Sequence, residues 1–131
     1  MIVKICGITN LEDANIAVDL GADVLGFIFV PSSPRYIPPD KAASIIAHLP
    51  ASLAKAGVFV NAGREEILSA VKKSGVNLLQ LHGDESPDDA KGFALPVWKA
   101  FRISERFDPA VLSGYSVEAY LLDTFSPESY G

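Results

Sequence analysis

The chain has 131 residues, 49% of them hydrophobic and 21% charged, with 11 Lys and Arg against 16 Asp and Glu for a net charge of −5. This is the composition of one globular domain; it excludes disordered and collagen-like classes, and the acidic balance argues against a nucleic-acid or anionic-membrane surface. No apolar run approaches a membrane span, no signal-peptide pattern opens the chain, and the single cysteine, Cys6, points to a reducing, cytoplasmic setting without a disulfide.

Residues 2–6 form a short apolar run that reads as a strand. Thr9-Asn10-Leu11-Glu12 then has the capping-box pattern, with Thr9 as the cap, and apolar residues at helical spacing follow as far as Gly21. The continuous apolar run at 24–30, interrupted only by Gly26, predicts a strand covered on both faces. After the loop Pro31–Tyr36 in positions 31–36, Pro38-Pro39 opens a helix over 40–49, since proline suits a first helical turn. A third strand is predicted at 54–60, with Asn61 capping a helix that carries Ile67, Leu68 and Val71 and closes on Lys72-Lys73 before Gly75. Strands follow at 77–81, 96–101 and 119–123. Ser86-Pro87-Asp88-Asp89 predicts the start of a short helix, and 109–112 a weak one. Nothing divides the chain, so one domain is expected over 1–131.

Strands alternating with helices mean repeated βαβ units and a parallel sheet. Six strands at this length suit an open doubly wound sheet, whereas a (β/α)8 barrel typically needs about 250 residues. In either architecture the chemistry collects at the carboxyl ends of the strands. A phospho-acceptor receiver domain would need acidic residues after the first and third strands, where Cys6 and Asn61 stand. No glycine-rich nucleotide loop occurs, and His48 and His82 have no metal-ligand spacing.

The strand endings themselves are Lys4-Ile5-Cys6-Gly7-Ile8-Thr9, then Gly26-Phe27-Ile28-Phe29 with Ser33-Pro34-Arg35-Tyr36, then Val58-Phe59-Val60-Asn61. They continue as Gln80-Leu81-His82-Gly83-Asp84-Glu85 and Leu121-Leu122-Asp123-Thr124. In these segments, taken in order, the chain resembles the phosphoribosylanthranilate isomerase family of tryptophan biosynthesis. The resemblance implies a parallel (β/α)8 TIM-barrel fold of about 200 residues, of which this chain resembles the N-terminal two thirds, an incomplete barrel of about six βα units. It implies an Amadori rearrangement of a phosphorylated amino-sugar, with no metal and no cofactor, in the cytoplasm. Because barrels of this kind hold phosphate in the loops after their last two strands, the expectation is that these 131 residues alone are weakly active or inactive.

On the family motif Cys6 is the general base and Asp123 the general acid. The physical case for Cys6 is a strand end facing a helix N-terminus, whose dipole and free N–H groups favour a thiolate; the alternative is a small buried hydrophobe. Apolar neighbours would keep the Asp123 carboxyl protonated enough to donate, and otherwise it caps the loop it starts. Arg35 would grip the anthranilate carboxylate with its planar guanidinium, or else be a solvated loop residue. His82 either binds substrate or hydrogen-bonds the neighbouring loop. Lys4 shares strand parity with Cys6, and an ammonium on an interior face needs a carboxylate partner. Lys99 and Arg102 either add positive potential for an anionic ligand or are solvated. A further expectation is a non-catalytic partial barrel that forms homo-oligomers through its open strand edges.

Overall fold

Strands that are apolar on both faces must be covered on both, and that requirement organises this chain. The computed structural model describes residues 1–124; positions 125–131 of the expected single domain lie outside the described residues. The elements are β1 (Lys4–Cys6), α1 (Leu11–Asp19), β2 (Val24–Ile28), α2 (Pro39–Ile46), β3 (Ala54–Phe59), α3 (Arg64–Ser74), β4 (Leu78–Leu81), β5 (Val97–Ile103) and β6 (Ala119–Thr124), with a 3-10 helix at Pro109–Gly114 between the last two strands.

The strands lie in the order β1-β2-β3-β4-β5-β6, and each is parallel to its neighbours. The sheet is wound in one direction only, so right-handed crossovers put every helix on the same face. A doubly wound sheet would place β1 centrally, and here β1 lies at an edge. The open-sheet reading favoured by length and periodicity is therefore overturned: the sheet curls into a partial barrel.

Its two faces carry separate cores. On the outer face Leu25, Phe27, Phe59, Leu79, Leu81 and Val97 pack with Ala14 of α1, Ala42 and Ile45 of α2, and Ile67 and Ala70 of α3. On the inner face Val24, Ala56 and Leu78, with Trp98 against them, fill the end from which the strands start. The register sets Gly26 beside Cys6 and Ala56, and Gln80 beside Val58 and Trp98. The inner face is thus apolar and filled at one end, and it turns polar towards the strands' carboxyl ends.

Local details depart from the sequence reading in three places. Asn10, not Thr9, caps α1, its side chain accepting from Asp13 N (2.8 Å). Asn61 does not cap α3, which follows Gly63; it has φ 52° and its Oδ1 instead accepts from Asp84 N (2.8 Å). The short helix expected from Ser86 is only a turn, held by Ser86 N and Oγ donating to Asp89 Oδ2, because Gly92 reverses the chain before a second turn can form.

Candidate active site

The carboxyl ends of the strands surround a cavity of about 660 Å³, and Cys6, Arg35, His82 and Asp123 all line it, together with Lys4 and Gln80. Every residue singled out as catalytic or substrate-binding therefore faces the same space. Cys6 and Asp123 reach it from β1 and β6, the two outermost strands of the curled sheet.

Cys6 ends β1, and its half-buried thiol lies over Gly26 of the adjacent strand. A Cβ on Gly26 would stand 2.7 Å from Cys6 Sγ and 3.1 Å from Lys4 Nζ. The absence of a side chain there gives both groups their room. The helix-terminus setting expected for Cys6 is not found: α1 begins only at Leu11, and the amides of Gly7 and Ile8 both donate to Gly26 O at 3.0 Å. The charged group sharing the thiol's space is Lys4, which has no ion pair among the described residues, so its expected carboxylate partner is also missing there.

Arg35 comes from the loop after β2 and reaches back across Gly7 to donate from Nη1 to Cys6 O (3.0 Å). Gly7 has φ 89°, and a Cβ there would lie 2.7 Å from Arg35 Cδ, so both its backbone and the crossing side chain require glycine. With one donor anchored on β1, the remaining guanidinium N–H groups stay available to a carboxylate.

Asp123 is not sheathed in apolar side chains as expected. Its side chain is 30% exposed; Oδ2 faces His82 Nε2 at 3.1 Å and Oδ1 accepts from Thr124 N at 2.8 Å. His82 in turn bonds through Nδ1 to the Gln80 amide nitrogen at 2.7 Å. Among the described residues its ring contacts Asp123 and Gln80, and not the neighbouring loop.

Lys99 is neither solvated nor in the cavity. It is 2% exposed, pairs with Glu85 Oε2 (3.1 Å), and donates to Gly83 O (2.8 Å) and Ala100 O (2.9 Å). Glu85 also accepts from Asn61 N and Gly83 N, both at 2.9 Å. This ion pair ties the segments just after β3 and β4 to β5. Sequence reasoning missed it, although a lysine between Ala100 and Trp98 in an apolar strand, with an acid closing the turn of the strand beside it, was a usable signal. Tyr115 completes the clasp by donating to Glu85 O (2.7 Å); burial, then the Glu85, Asp89 and Asp84 carboxylates, hold its hydroxyl above the ordinary 10.0. Arg102, at the end of β5, pairs with Asp84 (2.6 Å) on the rim. Among the described residues no three His, Cys, Asp or Glu side chains group as metal ligands, and no helix is long and apolar enough to cross a membrane.

The family model for N-(5'-phosphoribosyl)anthranilate (PRA) isomerase matches residues 3–129 of this chain. The chain belongs to the PRA isomerase family. A relative from Citrifermentans bemidjiense named N-(5'-phosphoribosyl)anthranilate isomerase is 50% identical over 129 residues, covering 98% of this chain and 63% of its own. The crystal structure of phosphoribosyl anthranilate isomerase from Thermus thermophilus superposes with a TM-score of 0.92 at 41% identity, covering 98% of this chain and 65% of that one. A PRA isomerase crystallised with reduced 1-(o-carboxyphenylamino)-1-deoxyribulose 5-phosphate has a TM-score of 0.83 at 40% identity, covering 96% and 66%. The chain thus spans a little under two thirds of the length of the curated PRA isomerases it matches. These likenesses take in β1 through β6, and with them every element that lines the cavity.

Proposed function

We propose that this cavity carries out the Amadori rearrangement of N-(5'-phosphoribosyl)anthranilate to 1-(2-carboxyphenylamino)-1-deoxyribulose 5-phosphate, in the cytoplasm and without a cofactor. The observation that carries the reading is the arrival of Cys6 and Asp123 from the two outermost strands in one cavity large enough for a sugar. The names of the relatives, and a family member crystallised with the reduced product, support it.

The steps we infer take their roles from the family resemblance, and the placement of Cys6 and Asp123 on one cavity supports them. Asp123 gives its proton to the ribose ring oxygen; the C1'–O bond breaks, and the nitrogen lone pair forms the C=N bond of a Schiff base. The thiolate of Cys6 then takes the C2' proton, and the C–H electron pair becomes the C1'=C2' bond while the C=N electrons return to nitrogen. Loss of the C2' hydroxyl proton and protonation of C1' give the ketone. Charge appears on Asp123 when its proton leaves, and the His82 ring nitrogen Nε2 and the Thr124 N–H already face the two carboxylate oxygens. Arg35 meets the anthranilate carboxylate and so orients the amine end of the substrate.

The test compares the 131-residue polypeptide with the same polypeptide extended by the C-terminal third of the Citrifermentans relative, each mixed with N-(5'-phosphoribosyl)anthranilate and followed by chromatography. Phosphate-holding loops in barrels of this type follow the last strands, so the extended form should turn over and the shorter one only feebly. In the extended form Cys6→Ser and Asp123→Asn should each lower kcat by about 10²–10⁴-fold. Product formation that survives both substitutions would end the proposal. A second property, self-association of the 131-residue form, has its own support in the apolar side chains exposed on β1 and β6.

A further inference from the structure

Gln80 takes no part in the steps above, yet it is a polar side chain only 2% exposed in the middle of β4. Its neighbours Leu79 and Leu81 belong to the outer core, while Gln80 and His82 share the cavity side. Its amide nitrogen lies 2.7 Å from His82 Nδ1, and its carbonyl Oε1 has no hydrogen-bond partner among the described residues. A position serving the fold alone would be apolar, because burying an unpaired carbonyl costs free energy.

The amide nitrogen can only donate, so Nδ1 of His82 must accept. In a neutral imidazole the proton then sits on Nε2, since the hydrogen bond at one ring nitrogen fixes the state of the other. Nε2 is the nitrogen that faces Asp123 Oδ2 at 3.1 Å. We propose that Gln80 is a positioning residue for the acid: it holds His82 as the Nε2–H tautomer and aims that proton at the Asp123 carboxylate. Gln80, His82 and Asp123 then form a chain in which each donor points towards the acid. A ring with its proton on Nδ1 would instead set a lone pair against the carboxylate just as the carboxylate acquires charge. The proposal rests on the reading of Asp123 as the acid, and goes beyond it by naming the residue that decides where its partner's proton lies.

Nitrogen-15 spectra of the two histidine rings test it, with His48→Gln identifying the His82 signals. In the 131-residue chain His82 should carry its proton on Nε2 and leave Nδ1 bare. Gln80→Glu, of nearly the same shape, puts an acceptor against Nδ1 and should move a proton there. In the extended, active form both Gln80→Glu and Gln80→Leu should lower kcat about tenfold or more with KM within about twofold, as expected when a tautomer is lost rather than a substrate contact. A protonated Nδ1 in the unsubstituted chain, an Nδ1 still bare in Gln80→Glu, or an unchanged kcat would each overturn the proposal. The ring spectra answer for Gln80 even if no isomerase activity is found, so this inference and the isomerase reading can fail separately.

Discussion

The space above Gly26 is shared by the Cys6 thiol and the Lys4 ammonium, so the smallest residue in the sheet governs the proposed base. Gly26→Ala would place a Cβ 2.7 Å from Sγ and 3.2 Å from Cys6 Cα, so the thiol must turn away and the two strands must ease apart. Overpacking of this kind costs about 1–3 kcal/mol, which urea unfolding should register, and kcat in the extended form should fall as the thiol shifts. Unchanged stability would mean that the thiol stands elsewhere. Arg35 makes a different prediction. Arg35→Lys keeps the charge but loses the planar fork that both anchors on Cys6 O and fits a carboxylate, so KM should rise about tenfold with kcat little affected. An unchanged KM would remove Arg35 from substrate binding. Cys6 and Arg35 were legible in the sequence because one closes an apolar strand and the other lies in the loop that follows one, on the side where a parallel sheet gathers its site residues. Gln80 was not, since its burial depends on the neighbouring strands and nothing in Leu79-Gln80-Leu81 distinguishes it from a polar residue on a wet face.

At the scale of elements, the loops bearing the site are held by a buried ion pair rather than by helix packing. Glu85 satisfies the amides of Asn61 and Gly83 as well as Lys99, so two strand ends and the neighbouring β5 depend on one carboxylate. Glu85→Ala should cost about 3–5 kcal/mol, because it leaves Lys99 charged and buried, whereas Glu85→Leu combined with Lys99→Met should recover much of that loss. If the double variant is no more stable than Glu85→Ala, the pair does not work as a unit. Tyr115 leans on the same clasp and gives it a pH signature. Its hydroxyl is held above 10.0, so the folded chain keeps a proton that the unfolded chain releases. That stabilisation is complete below pH 10.0 and is lost as pH rises through the raised value. Lys55, lowered from 10.5 by burial, acts with the opposite sign, but equally in any Tyr115 variant. Urea midpoints of the parent should therefore fall faster than those of Tyr115→Phe above pH 10.0; parallel curves would contradict the assignment. The strands and the three helices were readable from period, and α2 also from the prolines that open it. Asn61 was misread because a residue that caps a helix and one that turns left-handed to receive another loop's amide carry the same side chain.

For the whole molecule, the alternation of strands and helices predicts a parallel sheet but not its winding, since a helix looks the same in sequence whichever face it covers. Only the strand endings pointed to a barrel. One-way winding leaves the helix side of β1 and β6 less covered than the middle of the sheet, and the side chains record this: Ile5 is 41% and Leu122 64% exposed, while Leu25, Phe27, Leu79 and Leu81 of the inner strands are buried. Among the described residues β1 pairs only with β2 and β6 only with β5, so each also offers a row of backbone donors and acceptors. Apolar edges of this kind recruit further strands, and a lysine on the edge suppresses the pairing. The 131-residue polypeptide should therefore scatter light as an oligomer whose mass grows with concentration. Ile5→Lys with Leu122→Lys should return it to a monomer without lowering its urea midpoint, since neither side chain is in the core. A parent chain that stays monomeric as its concentration is raised would locate its cohesion wholly inside the curled sheet, and the edges would then be inert.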